Sequence, residues 1–304
     1  MNSKELRIAV ILTCFNRKDK TLNCIESLFK YSKEFLRRKI ILDVYLTDDG
    51  CTDGTSEALR EKYSDSNLTI LQGDGNLFWA GGMRVAWKAA LDSNKSFDYF
   101  LLVNDDVEFL PNFFEQLLSA VEFGECKYNK KPVVSGILKD SETEEETYGG
   151  KIWVNKFLGT CKHLRPTGTP QNCDMAHANI LLVPTYVVEK IGIFNTDYIH
   201  GGADHDYTLY ANRHGIPVLV TSNYCGICNN DHRKKKERPL YVASLPYKER
   251  KEYFNNPRHS IHDHIVYTRR NVPWRLPVVL IGYWLTLYTP QMYLILNKLR
   301  HLTK

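Results

Sequence analysis

Residues 99–106 read Y-F-L-L-V-N-D-D: five apolar residues without interruption, then three polar ones, two of them acidic. An unbroken apolar run of this kind suits a strand covered on both faces, as in a parallel sheet, where the in–out alternation is lost. The same pattern recurs upstream. Arg7–Leu12 runs into T-C-F-N-R, Ile40–Leu46 into T-D-D-G-C-T-D-G-T, and Leu68–Leu71 into G-D-G-N-L-F-W-A-G-G-M-R. Helical segments separate these strands. Thr21–Tyr31 carries Leu22, Ile25, Leu28 and Phe29 at helical spacing, and shorter helices are expected at Ser56–Tyr63 and about Val85–Leu91. Pro111–Phe123 follows the fourth strand, with Pro where its missing N–H costs least. Four strand–helix alternations imply an α/β fold, a mainly parallel sheet flanked by helices. In such sheets ligands bind beyond the carboxyl ends of the strands, and every polar cluster just named falls there.

The second half is less regular. Strands are expected at Pro132–Leu138, Ile180–Val183 and Ile216–Thr221, an acidic surface loop at Ser141–Glu146, and a short helix at Thr185–Ile191. Tyr198–Tyr207 reads as a polar, glycine-bearing loop, with a helix continuing through Arg213 to Gly215. The chain has 304 residues, and its 43% hydrophobic and 25% charged composition excludes wholesale disorder. The net charge of +5 hides an asymmetry: residues 232–304 hold fifteen Lys and Arg against four Asp and Glu. The composition changes near residue 230, so a body, 1–230, and a basic extension, 231–304, are expected.

A basic extension seeks something anionic: a membrane surface, a polyphosphate or nucleic acid. Pro277–Leu296 carries no formal charge over twenty residues, and Arg269, Arg270, Arg275 and Lys298 flank it. Its length permits a span. Its Pro290, Gly282 and many aromatic residues suit an interfacial helix better, and a buried or dimer-forming helix is the third reading. The N-terminus lacks the apolar region of a signal peptide, so the chain is expected in the cytoplasm, with its eight cysteines mostly reduced. Cys225 and Cys228 alone have C-x-x-C spacing, too little for a zinc or redox assignment.

Four clusters carry the chemistry. Asp105 and Asp106 repel each other at the end of a buried strand and are costly to desolvate; a divalent cation relieves both costs, and carboxylates suit Mg²⁺ or Mn²⁺. The competing reading is a turn that caps the next segment. Asp48 and Asp49 end a neighbouring strand, where a carboxylate accepts hydrogen bonds from a ribose hydroxyl or a base imide, or serves the turn itself. In the glycine-rich segment, Gly81 and Gly82 permit close backbone approach to a ligand and Arg84 can fork onto a phosphate. No G-x-G-x-x-G or Walker fingerprint is present. Asp204 in H-G-G-A-D-H-D-Y is either a helix N-cap or a general base.

Taken in order and spacing, these clusters resemble the family-two glycosyltransferases of GT-A fold, over about residues 6–230. V-I-L-T-C-F-N-R is similar to that family's first strand, Y-L-T-D-D-G-C-T-D-G-T to its D-D-G-S-x-D-x-T segment, and G-N-L-F-W-A-G-G-M-R to its N-x-G-x-x-x-G-x-N loop. L-V-N-D-D-V stands where the family has its metal-binding D-x-D, and A-D-H-D-Y where it has E-D-x-D. The W-A-G-G-M-R and N-D-D-V forms look most like bacterial rhamnosyltransferase-type members.

The resemblance implies roles. Thr13 and Phe15 would flank the nucleotide base, with Asn16 and Arg17 completing that donor-binding strand end beside Asp48. Asp49 would bind base or ribose, Asn104 and Asp105 the donor side, and Asp106 the metal. Asp204 would be the base, with His200 and Asp206 on the acceptor side or supporting the loop. Two departures stand out: Asn104 replaces the first acid of D-x-D, and Ala203 replaces the acid beside Asp204. His232 and Cys225 are the candidates for a further metal ligand.

The implied activity is inverting transfer of a sugar from a UDP- or dTDP-linked donor to a hydroxyl of a glycan or lipid-linked saccharide, with Mg²⁺ or Mn²⁺, in bacterial cell-surface polysaccharide synthesis. The expected site of action is the cytoplasm or the inner face of its membrane. A homodimer is a further candidate use of the extension, and no nucleic-acid partner is expected. A sugar-phosphate nucleotidyltransferase would need a G-x-G-x-R loop that T-C-F-N-R does not provide. A membrane- or nucleic-acid-binding module leaves the acidic strand ends unexplained.

Overall fold

The computed structural model describes residues 5–31, 39–64, 66–229, 238–259 and 261–302. The first half alternates as expected: β1 (Leu6–Cys14), α1 (Lys18–Phe29), β2 (Ile40–Asp48), α2 (Thr55–Lys62), β3 (Leu68–Gln72), α3 (Phe78–Leu91) and β4 (Tyr99–Val103). After β5 (Glu108–Phe109) and α4 (Phe113–Tyr128) comes a β-rich stretch: β6 (Val133–Lys139), β7 (Glu146–Tyr148), β8 (Gly150–Asn155), β9 (Thr160–His163), β10 (Gln171–Asn172), β11 (Met175–Ala176) and β12 (Ile180–Pro184). Then follow α5 (Thr185–Ile191), α6 (Ala203–Arg213) and β13 (Val218–Ile227). The C-terminal region holds α7 (Arg238–Ser244), α8 (Tyr247–Asn255), α9 (Ile261–Asn271), α10 (Leu276–Tyr288) and α11 (Pro290–Leu302).

The main sheet has the order β10-β13-β6-β12-β4-β1-β2-β3, with β5 added to β13 and β7 to β6. Strands β1 to β4 are parallel neighbours, and β13 is parallel to β6. β12 runs antiparallel to both β4 and β6. This reversal matters for the site. It sets the entrance of β12 beside the exit of β4, so residues 177–179 reach the edge already occupied by 104–106. The N–H of Asn104 donates to the carbonyl of Asn179 at 3.1 Å. A separate three-stranded sheet has the order β11-β8-β9.

Alternate residues of β1 feed two cores. Ile8, Val10 and Leu12 pack with α1 and α4; Ala9 and Ile11 pack with α3, Trp87 and α6. Helix α3 begins seven residues before the expected Val85, taking in most of the segment read as a glycine-rich loop. The glycines mislead because their intrinsic helix cost is overridden by packing. A Cβ at Gly82 would fall on the Thr13 side chain, so Gly82 lets α3 lie directly against β1.

The apolar stretch 277–296 is not one helix. It breaks at Thr289, between α10 and α11, and among the described residues no helix is long and apolar enough to cross a membrane. The preceding helix, α9, is bolted to α6. The Arg270 Nε donates to both carboxylate oxygens of Asp206 at 3.0 and 2.9 Å, and the Asn271 amide donates to the same carboxylate at 2.7 Å. Asp206 is buried, and this is the arrangement a buried charge requires. Arg270→Ala leaves that buried carboxylate with the Asn271 amide but without its cation, and the loss should be about 3 kcal/mol. Urea melts of the full chain measure it; an unchanged midpoint would mean that the pair does not hold the C-terminal helices in place.

Candidate functional site

The carboxyl edge of the sheet opens into a cleft of about 120 Å³ lined by Thr13, Phe15, Arg17, Asp49 and Asp105, all expected there, and by Cys14, Gly75, Phe78, Trp79, His200 and Arg258. Its electrostatic centre is the acidic pair at the exit of β4. Asp105 is almost wholly buried. Desolvation pushes its carboxyl up to about 6; Arg17 opposes this and the neighbouring Asp106 adds to it. The Arg17 Nη1 lies 3.2 Å from Asp105 and its Nη2 pairs with Asp106, so one guanidinium spans both acids. The Thr21 hydroxyl donates to Asp105 at 3.2 Å.

Two carboxylates thus converge on one cationic group, which fits a hard divalent cation. Among the described residues no group of three ligating side chains gathers. That donor set suits an ion that completes its shell with phosphate oxygens and water, as Mg²⁺ or Mn²⁺ does, better than an all-protein cage. Asn104 is not a free ligand: its side-chain oxygen accepts the Trp79 indole N–H at 2.9 Å. Of the candidates for a further ligand, His232 lies outside the described residues, and Cys225 is buried against Thr221 and the Phe113 carbonyl. Cys228, which sequence reasoning passed over, reaches Asp106 at 3.4 Å.

Several expected donor-binding residues serve the scaffold. Asp48 accepts the Cys51 N–H at 2.6 Å and the Ser56 hydroxyl. Asn16 accepts the Thr52 N–H at 2.7 Å. Gly81 and Gly82 lie within α3, away from the cleft lining, and provide close helix packing instead of ligand approach. Arg84 was expected on a phosphate, but its Nη1 donates to the carbonyls of Asn195 and Tyr198 at 3.1 and 2.8 Å. Asp49 lines the cleft, yet its carboxylate accepts the N–H groups of Gly75, Leu77 and Phe78 at 3.0, 3.2 and 2.9 Å. It shapes the wall that presents Phe78 and Trp79.

His200 carries the lining onto the loop just before α6. Gly202 caps this helix with φ +86°, a conformation that favours glycine. Asp204 therefore sits inside the first turn and is not the cap. Its oxygens accept the N–H of Ala178 at 3.3 Å and of His205 at 2.8 Å. Ala178 adjoins Asn179, the partner of Asn104, so two residues of backbone link Asp204 to the acidic pair. The loop before α6 is held by Asp263 of α9, which sequence reasoning missed. Its carboxylate accepts the N–H of Ile199, His200 and Gly201 at 3.0, 2.7 and 2.8 Å. Burial alone would raise its pKa; the three donors outweigh burial and hold it below the usual carboxylate range.

The family profile described as Glycosyl transferase family 2 matches residues 9–173. No curated protein sequence matches the chain significantly. Among solved structures, the mannosyltransferase PcManGT from Pyrobaculum calidifontis, in complex with GDP-Man and Mn²⁺, is similar with a TM-score of 0.54 at 15% identity, over 99% of this chain and 81% of that one. GalNAc-T7 with UDP, GalNAc and Mn²⁺ is similar with a TM-score of 0.56 at 11% identity, over 91% of this chain and 58% of that one. At these identities the likeness is one of fold.

The buried acid gives a pH-dependent prediction. The Asp105 pKa is raised from 3.8 to about 6 on folding. Its ionisation therefore costs nothing below the unfolded value, costs progressively more between the two values, and costs the full amount above them. Asp105→Asn removes that cost. Without metal, the variant should be more stable than wild type at pH 7.5 by roughly 1–3 kcal/mol and about equal to it at pH 4. Denaturant melts at both pH values test this; a variant weaker than wild type at pH 7.5 would show that the Arg17 pairing outweighs desolvation.

Proposed function

Since the chain belongs to glycosyl transferase family 2, we propose that it is an inverting, metal-dependent transferase that moves a sugar from a nucleoside-diphosphate donor to a hydroxyl of a saccharide acceptor. The observation that supports this most is the meeting, at one sheet edge, of the Asp105–Asp106 pair, an aromatic-walled cleft and the Asp204 carboxylate. The structural neighbours bound to Mn²⁺ with GDP-Man, or with UDP and GalNAc, are consistent with such a donor and ion.

In this reading the exposed Phe15 ring and Thr13 receive the base, and Phe78 and Trp79 wall the cleft in the position set by Asp49. Asp105 and Asp106 hold the divalent ion, which when bound supplies Lewis-acid stabilisation of the departing diphosphate. Arg17 neutralises the two acids and lies on the cleft wall, where its guanidinium suits diphosphate oxygens. Asp204 accepts the acceptor proton. Each of its oxygens takes one backbone N–H, and a carboxylate has further lone pairs for that task. Asp206 cannot share the role, because Arg270 and Asn271 enclose it.

The finer assignment follows the motifs: a rhamnosyltransferase-type enzyme of bacterial cell-surface polysaccharide synthesis, with residues 1–230 as the catalytic body and 231–304 as an extension that walls the site. We place that extension on an anionic membrane. Trp274, Val278, Ile281, Trp284 and Tyr288 are exposed, while Arg269 and Lys298 are exposed nearby in sequence. Apolar surface with adjoining cations is the pattern of an interfacial helix.

Two outcomes are expected. Asp204→Asn should keep the fold and donor affinity while turnover falls about 10²–10⁴-fold, the usual cost of losing a general base; Asp206→Asn should mainly lower stability. Turnover and donor affinity of both variants decide the matter, and an active Asp204→Asn beside a folded, inactive Asp206→Asn would reverse the assignment. Ile281→Ser with Trp284→Ser should release the chain from anionic liposomes in sedimentation assays. Binding equal to wild type would leave this surface to another partner.

A further inference from the structure

A second cavity, of about 420 Å³, adjoins the cleft: His200 and Arg258 line both. It lies between the β8–β9 hairpin and α9, with contributions from the loop before α6. Its charge is one-sided. Lys151, Arg258 and Arg275 bring three permanent cations, and His205 and His264 add imidazoles. The lining has a single carboxylate, Asp263, and that one is committed to the N–H groups of residues 199–201. Trp153 and Tyr267 supply flat apolar faces.

A neutral sugar asks for acceptors and donors in balance, carboxylates and amides as much as N–H groups. This cavity offers cations and ring faces, which is the chemistry that recognises an anion attached to a ring. His205, which lines the cavity, directly follows Asp204, so the cavity lies next to the turn that carries the proposed base. We propose that this cavity is the acceptor subsite and that the acceptor carries an anionic group, a phosphate or a carboxylate, held by Lys151 and Arg275. The assignment rests on the reading of the neighbouring cleft as the donor site.

The test uses the full chain saturated with Mn²⁺ and whichever of UDP, GDP or dTDP stabilises it most, so that the cleft is filled. Glucose 1-phosphate, glucuronate and glucose are then titrated by thermal shift. At least one anionic sugar should bind, and glucose should bind at least tenfold more weakly. The comparison between glucose 1-phosphate and glucuronate separates phosphate from carboxylate. Lys151→Ala with Arg275→Gln should weaken the anionic sugar at least tenfold and leave nucleoside-diphosphate affinity within twofold, since neither residue lines the cleft. Arg275 packs against Gly159, so Lys151→Glu alone serves as the second variant should the double one fail to fold. Anionic binding unchanged in the variants, or glucose binding as tightly as the anions, overturns the proposal. Failure of all three nucleoside diphosphates to stabilise wild type would instead overturn the donor reading, and the anion titration would then decide the cavity alone.

Discussion

Two carboxylates forced together at the exit of a buried strand set the terms for this structure. Asp105 is nearly out of contact with water, and its charge is disfavoured by burial and by Asp106. Such a pair persists only if other groups supply compensation. Arg17 bridges both acids from the cap position of α1, and Thr21 donates from within that helix. The third member of the motif, Asn104, is pinned from the other side by Trp79 of α3. Three elements are thereby fixed around a single charge cluster, and that cluster forms part of the wall of the cleft.

The far rim depends on a second device, built from residues more than fifty positions away in sequence. Asp263 gathers the N–H groups of three consecutive loop residues, and Arg270, about two turns further along α9, closes on Asp206. Both anchors come from α9. The basic C-terminal region is therefore a wall of the site at this point, although its later helices expose apolar surface. One extension does both jobs because its inner face is polar and specific while α10 is apolar.

What could be read from the sequence follows the range of the interactions. The strands β1 to β4 announce themselves through unbroken apolar runs, and their polar ends locate the cleft, since both signals are local. Thr13, Phe15, Arg17, Asp49 and Asp105 do meet there. Gly81, Gly82 and Arg84 were misplaced because a glycine that admits a ligand and a glycine that admits a helix look alike in sequence; only the approach of α3 to Thr13 distinguishes them. Asp263 and Arg270 gave no local signal at all. A lone Asp or Arg on a polar helix reads as a solvated residue until its partner, 63 or 64 positions earlier, is brought beside it. The short strands β7 to β11 were missed for a related reason: at two to six residues each, they carry too little alternation to register.

The two aspartates of A-D-H-D-Y show how little sequence separation is needed to divide two functions. Both carboxylates lie in the first turn of α6, where the helix dipole favours negative charge, so that field does not distinguish them. Direction does. At 3.6 residues per turn, positions two apart point to nearly opposite sides of a helix. Once Asp206 turns inward to Arg270 and Asn271, Asp204 must turn towards the strand edge, where it meets the N–H of Ala178. The buried ion pair thus acts as a rotational lock on the turn that carries the other carboxylate. A helix start without it would be free to settle with either acid facing the strand edge, and the single placement that the proposed base needs would be lost.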